Sequence, residues 1–348
     1  MDLFTPAVNE KDFHPNFRNI LRAELCKERK ELQRWASDFP DRDGKFVKEF
    51  QTTFNPCFWE LYLNALFKDL GFDLDWEFPS PDFLVRKNGI QFSIEAATAG
   101  AASGKTPEWE KTISKPEEIE NISLNALNRE SIIRLSNTFF SKLKKYRDSY
   151  SKASHVKNRP FVIAIAPFEQ PHFNLQYNRP ITALLYDYYV DEEAYLANPE
   201  DYPSGPPARQ LGSVEKDNGS EIELGVFSDS LCSEISAVIF SCTATWGKVD
   251  ALTTNSNVRR VISSIRGEPP HGAPKLFTCS GSESTETIQD GLQVYHNPYA
   301  VNPIDPEYFR ADGVVQVFGD KATASLITEG EESCLMHRQV YNLIPENK

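Results

Sequence analysis

Residues 81–98 read PDFLVRKNGIQFSIEAAT, and the way this stretch pairs with itself decides the fold. Asn88-Gly89 suits the two central positions of a type I′ turn, whose twist matches that of the strands it joins. With that turn, Lys87 faces Ile90 and, stepping outward, Asp82 faces Glu95. Side chains alternate along a strand, so Phe83, Val85, Ile90, Phe92 and Ile94 share one face, while Asp82, Leu84, Gln91, Ser93, Glu95 and Ala97 share the other. The apolar face is expected to be the buried one. Like charges directly opposite destabilise a hairpin by roughly 0.2–1 kcal/mol, so the two acids need a compensating charge. A hard divalent cation supplies it, since Mg2+ is held by one or two carboxylates with water and phosphate oxygens. Without the ion, one carboxylate should titrate above its ordinary range. The plainer reading makes the acids the solvated ends of an ordinary hairpin.

Working outward, NFRNILRAELCKERKELQRWA (16–36) has the spacing of a partly exposed amphipathic helix. The stretch FNPCFWELYLNALFKDLGF (54–72) predicts a helix stopped at Gly71. After the hairpin come a polar linker with Pro107 and Pro116, a long helical pattern from about Ile119 to Tyr150, and RPFVIAIAP, a short apolar run suited to a strand buried on both faces. A further helix is expected at ITALLYDYYVDEEAYLA, then loop, then strands at EIELGVF, EISAVIFSC, KLFTC and LQVYHNP. The order reads as α/β with a mixed sheet. It divides into an N-terminal helical arm (1–44), an α/β core (45–190), a loop (191–220) and a β-rich C-terminal extension (221–348) packed on or continuing the core sheet.

Bulk properties bound the function. The chain has 348 residues, 40% of them hydrophobic and 12% aromatic, enough for a substantial core. A net charge of −13 repels a polyanion unless basic residues gather on one surface. They do gather: residues 129–160 hold nine basic side chains against two acids, a local +7. No apolar run approaches the roughly 20 residues that cross a bilayer, and the N-terminus lacks the order of a secretion signal. A cytoplasmic protein without membrane contact is expected. Six cysteines without a C-x-x-C pair suggest reduced thiols.

Pro81-Asp82 opening one strand, Glu95-Ala96-Ala97 on the next, and Glu60 on the preceding helix together resemble the PD-(D/E)XK nuclease superfamily, with its restriction-endonuclease-like mixed sheet flanked by helices. The likeness covers roughly residues 45 to 170. It implies a Mg2+ site, or Mn2+ in its place, made by Asp82, Glu95 and the carbonyl of Ala96, with Glu60 assisting. It also implies a nuclease acting on DNA rather than RNA, in defence against foreign DNA or in repair, alone, as a homodimer or with a partner subunit. The chain departs from the pattern at Ala97, where the family carries a lysine that orients water and offsets transition-state charge. Some relatives move the basic group to the next helix. Here RLSNTFFSKLKKYR has its apolar stripe at Ile132, Leu135, Phe139, Leu143 and Tyr146, which sets Arg134, Lys142 and Lys145 on its rim. Lys142 is the first candidate for the displaced lysine and Lys145 the second; with Arg134 they would also meet nucleic acid. Tyr146 and Tyr150 sit at core-like spacing.

Two rival readings remain. One is a nuclease-fold module that has lost catalysis and binds nucleic acid or regulates a partner. The other starts from AGAASGKT (99–106), one substitution from the phosphate-cradling G-x-x-x-x-G-K-[ST] of nucleotide-triphosphatases. Against the latter, Ala99 replaces the first glycine and Pro107 follows at once. The six histidines show no ligand spacing.

Overall fold

The computed structural model describes residues 1–111, 122–268, 272–321, 323 and 325–343. Pro116, the first residues of the expected long helix, and His271 lie outside them. Four helices open the chain: α1 (Pro15–Ile20), α2 (Cys26–Trp35), α3 (Phe46–Thr52) and α4 (Asn55–Asp69). The single helix expected over 16–36 is thus broken, with a 3-10 turn at Ala23–Leu25 between its halves. Helix α4 ends as expected, with Gly71 at φ +76°, a left-handed conformation that glycine takes without a Cβ penalty.

Strands β1 (Asp73–Asp75), β2 (Phe83–Lys87) and β3 (Ile90–Thr98) follow. Asn88 and Gly89 both have positive φ, +50° and +81°, as a type I′ turn demands. The register is the one read from the sequence, from Lys87↔Ile90 to Phe83↔Ile94. Helix α5 (Leu124–Asp148) then runs for 25 residues, its first turn capped by the Ser123 hydroxyl, which accepts from the Ala126 N–H at 3.1 Å. Strand β4 (Phe161–Ala166) pairs parallel with β3 and is buried throughout, as its unbroken apolar run predicts.

The segment ITALLYDYYVDEEAYLA does not form one helix. It splits into α6 (Arg179–Tyr186), a two-residue strand β5 (Tyr189–Val190) and α7 (Glu192–Ala197), because Asp187 takes a left-handed conformation that ends α6. Residues 191–220, expected as loop, hold α7 and two short strands, β6 (Ala208–Arg209) and β7 (Ser213–Glu215), the latter paired with β8 (Glu221–Glu223). Beyond them lie β9 (Ala237–Phe240), α8 (Trp246–Leu252), β10 (Arg259–Glu268), β11 (Gly272–Ser280), β12 (Leu292–His296), β13 (Val314–Gly319), β14 (Leu326–Glu329) and β15 (Leu335–Leu343).

The result is a mixed α/β fold on an eight-stranded sheet, ordered β1-β2-β3-β4-β9-β12-β13-β14, with β3, β4 and β9 parallel at its centre. A separate antiparallel sheet, β11-β10-β15, stands beside it. One core joins Phe17 and Trp35 of the N-terminal helices to Tyr62, Ile163, Tyr295 and Cys334. No described helix is long and apolar enough to cross a membrane. All six cysteines are free.

Candidate active site

Toward its open end the β2-β3 hairpin is buried on both faces, which corrects the expectation of one solvated face, while Arg86 near the turn stays exposed. Phe83, Val85, Phe92 and Ile94 enter the main core, while Leu84, Ser93 and Glu95 on the other face are also covered. The covering element is the C-terminal half of α5. Its stripe of Ile132, Leu135, Phe139, Leu143 and Tyr146 is buried, and the polar rim beside that stripe comes down over the acidic end of the hairpin.

Glu95 has no solvent exposure. Its Oε1 accepts from Lys142 Nζ and from Lys145 Nζ, each at 2.8 Å, and its Oε2 accepts from the Tyr150 hydroxyl at 3.0 Å. Burial alone would raise this carboxyl, but the two ammonium groups outweigh it and hold Glu95 below its ordinary range. Asp82 lies one step beyond the last paired residues of the hairpin, half-buried, with Oδ2 accepting from the Ala96 N–H at 2.8 Å. Burial and the negative charge of Glu95 push Asp82 up to about 6, against the pull of the Ala96 amide and of the two lysines. Glu60, on α4, is pushed up to about 8 by burial and then by the charge of Asp82. The cleft is about 500 Å3 and is lined by Glu60, Asp82, Glu95, Ala97, Lys142 and Lys145, with Asn137, Thr138 and Ser141 of α5 along one wall.

The structure therefore brings together Glu60, Asp82, Glu95, Ala96, Lys142 and Lys145. Arg134 is not among them. It lies two turns up α5 from Lys142, about 12 Å along the axis, and its Nε is given to Glu130 at 2.8 Å. The compensating charge that the sequence assigned to a metal alone is supplied here by Lys142 and Lys145. Three acids from elsewhere also enter the basic segment, Glu95, Asp217 facing Arg129 and Glu234 facing Arg147, while Lys105 meets its Glu130, so the segment with these partners carries +5 instead of +7.

Two groups at this site escaped the sequence reading. Tyr150 counts as core by its spacing, yet its hydroxyl fixes the second oxygen of Glu95. Arg42 lies in a turn with no pattern of its own, and its guanidinium donates to the carbonyls of Phe78 (3.3 Å) and Pro81 (3.4 Å), pinning the approach to Asp82. His155 accompanies it, stacked on Phe78 at 3.9 Å and hydrogen-bonded through Nε2 to the Ser80 carbonyl at 2.8 Å. A nearby basic residue before a Pro-Asp strand is the only sequence signal that could have singled out Arg42.

The donor set suits a hard cation. Asp82 keeps Oδ1 free of the amide contact, Glu95 retains one lone pair, on Oε2, since its Oε1 already accepts from two lysines, and the Ala96 carbonyl adds a neutral oxygen; all are ligands of the type Mg2+ takes. Among the described residues, no group of three or more His, Cys, Asp or Glu side chains could hold a metal, so water and substrate oxygens would complete the shell. The rival AGAASGKT segment is arranged differently. Ala99 extends β3, its N–H donating to the Ala166 carbonyl at 2.8 Å; Lys105 Nζ is tied to Glu130 at 2.9 Å, and a 3-10 turn at Glu108–Glu110 follows. His296 bonds Gln316 at 2.9 Å within the sheet.

The raised Asp82 carboxyl has a consequence for stability. A group raised on folding stabilises the fold while protonated, below its unfolded value near 3.8, and that contribution is lost as pH rises through about 6. Asp82→Asn should therefore stabilise the metal-free protein at pH 8, by on the order of 2 kcal/mol, with the gain shrinking toward pH 4. Thermal melts of both proteins in chelator across pH 4–8 check this; a constant difference would contradict it.

No family model, no curated protein and no solved structure matches the chain.

Proposed function

We propose that this chain is a metal-dependent nuclease of the PD-(D/E)XK type, with a restriction-endonuclease-like core, that hydrolyses phosphodiester bonds of DNA. One observation carries the reading: Lys142, from the helix after the hairpin, places its ammonium 2.8 Å from the carboxylate of Glu95, beside Ala97 where the family's lysine is missing. Asp82, Glu95 and the Ala96 carbonyl would hold Mg2+ or Mn2+, which when bound polarises the scissile phosphate and lowers the barrier to deprotonating water. Lys142 donates toward the attacking water and the phosphoryl oxygens, offsetting the charge that builds there. Water gives up a proton to solvent and attacks phosphorus in line, the new P–O bond forms as the bond to the leaving oxygen breaks, and the leaving oxygen takes up a proton from solvent. Glu60, whose carboxyl is raised in the metal-free cleft by burial and by the charge of Asp82, lines the same cleft and would assist there. Lys145, with Asn137, Thr138 and Ser141, gives the backbone polar contacts along α5.

The second reading, a non-catalytic module, is favoured by the pairing of both lysines with Glu95, which balances that charge without a metal. Supercoiled plasmid separates the two. The nuclease reading predicts nicking or linearisation with Mg2+ or Mn2+ and none with chelator. DNA retardation without cleavage under every metal condition supports the module and ends the nuclease proposal.

A further inference from the structure

Without a metal, the carboxylate of Glu95 is already occupied. Such a group has about four lone-pair sites. Lys142 and Lys145 fill both on Oε1, at 2.8 Å each, and the Tyr150 hydroxyl fills one on Oε2 at 3.0 Å. Asp82 gives Oδ2 to the Ala96 N–H at 2.8 Å. A cation is left one site on Oε2 and the free Oδ1 of Asp82. Charge is matched in the same way, because the carboxylates of Asp82 and Glu95 face the ammonium groups of Lys142 and Lys145. A dication added to that set brings an uncompensated double charge beside Glu95, whose side chain has no exposure, and like charges a few ångströms apart repel strongly where water is scarce.

The two lysines are not held alike. The Lys142 side chain is 23% exposed and that of Lys145 is 49% exposed, and an ion pair open to solvent is weakly held. Lys145 also has a second partner, since its Nζ stands 5.0 Å from the centroid of the Tyr150 ring, within cation–π reach. It lines the cleft one turn along α5 from Ser141, on the wall that Asn137 and Thr138 continue.

We propose that Lys145 is a built-in counter-ion: it holds the cation's place on Glu95 in the metal-free protein, is displaced when a divalent cation binds Asp82 and Glu95, and then turns to a backbone phosphate of the substrate. The proposal rests on the nuclease reading and deepens it, because metal and DNA then bind cooperatively through one side chain, each tightening the other equally by linkage. The pairing of both lysines with Glu95 is, on this account, the resting state of a metal site.

Acetylation of the full chain by an N-hydroxysuccinimide ester at pH 8, read peptide by peptide by mass spectrometry and run beside a Mn2+ titration, tests it. The Lys145 rate should rise several-fold from chelator to saturating Mn2+, and a phosphorothioate duplex, which resists hydrolysis, should lower it again. Lys144, 75% exposed and paired with Asp148, should react at one rate with and without metal. Lys145→Ala, its circular dichroism melt little changed, should bind Mn2+ about fivefold more tightly than the parent, whereas Lys144→Ala should bind it as the parent does. Suppose Mn2+ occupies a site that Asp82→Ala abolishes, yet the Lys145 rate ignores metal, or ignores bound duplex, or Lys145→Ala binds Mn2+ no more tightly. Any of these would overturn the inference and leave the nuclease reading standing. No Mn2+ site at all would overturn both.

Discussion

Lys142→Ala is expected to slow Mg2+-dependent DNA cleavage by two to three orders of magnitude, the usual loss when one preorganised donor to a transition state is removed. The fold should survive, because Glu95 Oε1 keeps Lys145 at 2.8 Å and Oε2 keeps Tyr150 at 3.0 Å, and the Lys142 side chain is itself 23% exposed. Lys145→Ala should cost about tenfold or less, since that side chain is 49% exposed and screened by solvent. Single-turnover cleavage of a defined duplex gives both numbers. Equal losses in the two variants, or no loss in Lys142→Ala, would remove Lys142 from the role the missing motif lysine leaves open.

The largest effect on stability is expected from Glu286→Ala, far from the cleft. Glu286 Oε1 accepts from Lys248 Nζ at 2.5 Å and from Arg338 Nη1 at 2.6 Å, and no side chain of the three is more than 3% exposed. The cluster ties α8 to β15 and to the segment before β12, with Lys248 also donating to the carbonyls of Thr287 (3.0 Å) and Asp290 (2.7 Å). Removing the single anion leaves two cations without their counter-charge, and breaking a buried pair in this way costs about 3–5 kcal/mol. Lys248 can relieve part of this by releasing its proton, since burial already pushes it down to about 8; Arg338 cannot. Urea denaturation followed by circular dichroism should show the loss, and a change below about 1 kcal/mol would mean that the cluster is not the tie it is taken for.

The hairpin was legible because its information is local. Asn88-Gly89 admits one turn type, period-two alternation fixes the faces, and both hold in the structure. The unbroken FVIAIA run likewise announces a central strand. What sequence could not show is which neighbour covers a face. Ser93 and Glu95 look solvated by pattern, and they are buried because α5, more than thirty residues later, lies across them. The same non-local pairing hides β10 and β15: RRVISSIRGE and LMHRQVYNL carry Arg260 and Arg338 on their inward faces, and these charges mask the strands as surface until Glu28, Asp250 and Glu286 arrive from elsewhere to match them. Helix α6 ends at Asp187 because of its left-handed backbone, a choice made by tertiary contacts such as the Leu211 and Gly212 amides donating to its carboxylate rather than by propensity. Within the candidate site, the acids were readable from the motif and Lys142 from helical spacing. Tyr150 and Arg42 were not, because one has the spacing of a core residue and the other acts through the main chain of a turn.

Asp82 and Glu95 are proposed to hold one divalent cation between them. Titration of Mn2+ into the metal-free protein, followed by electron paramagnetic resonance at pH 8 and at pH 5, tests it most directly. One Mn2+ site is predicted, tighter at pH 8 because Asp82, raised to about 6, must lose its proton to bind, and abolished in Asp82→Ala. Equal Mn2+ binding by the parent and the Asp82→Ala protein, or no site in either, would contradict the account.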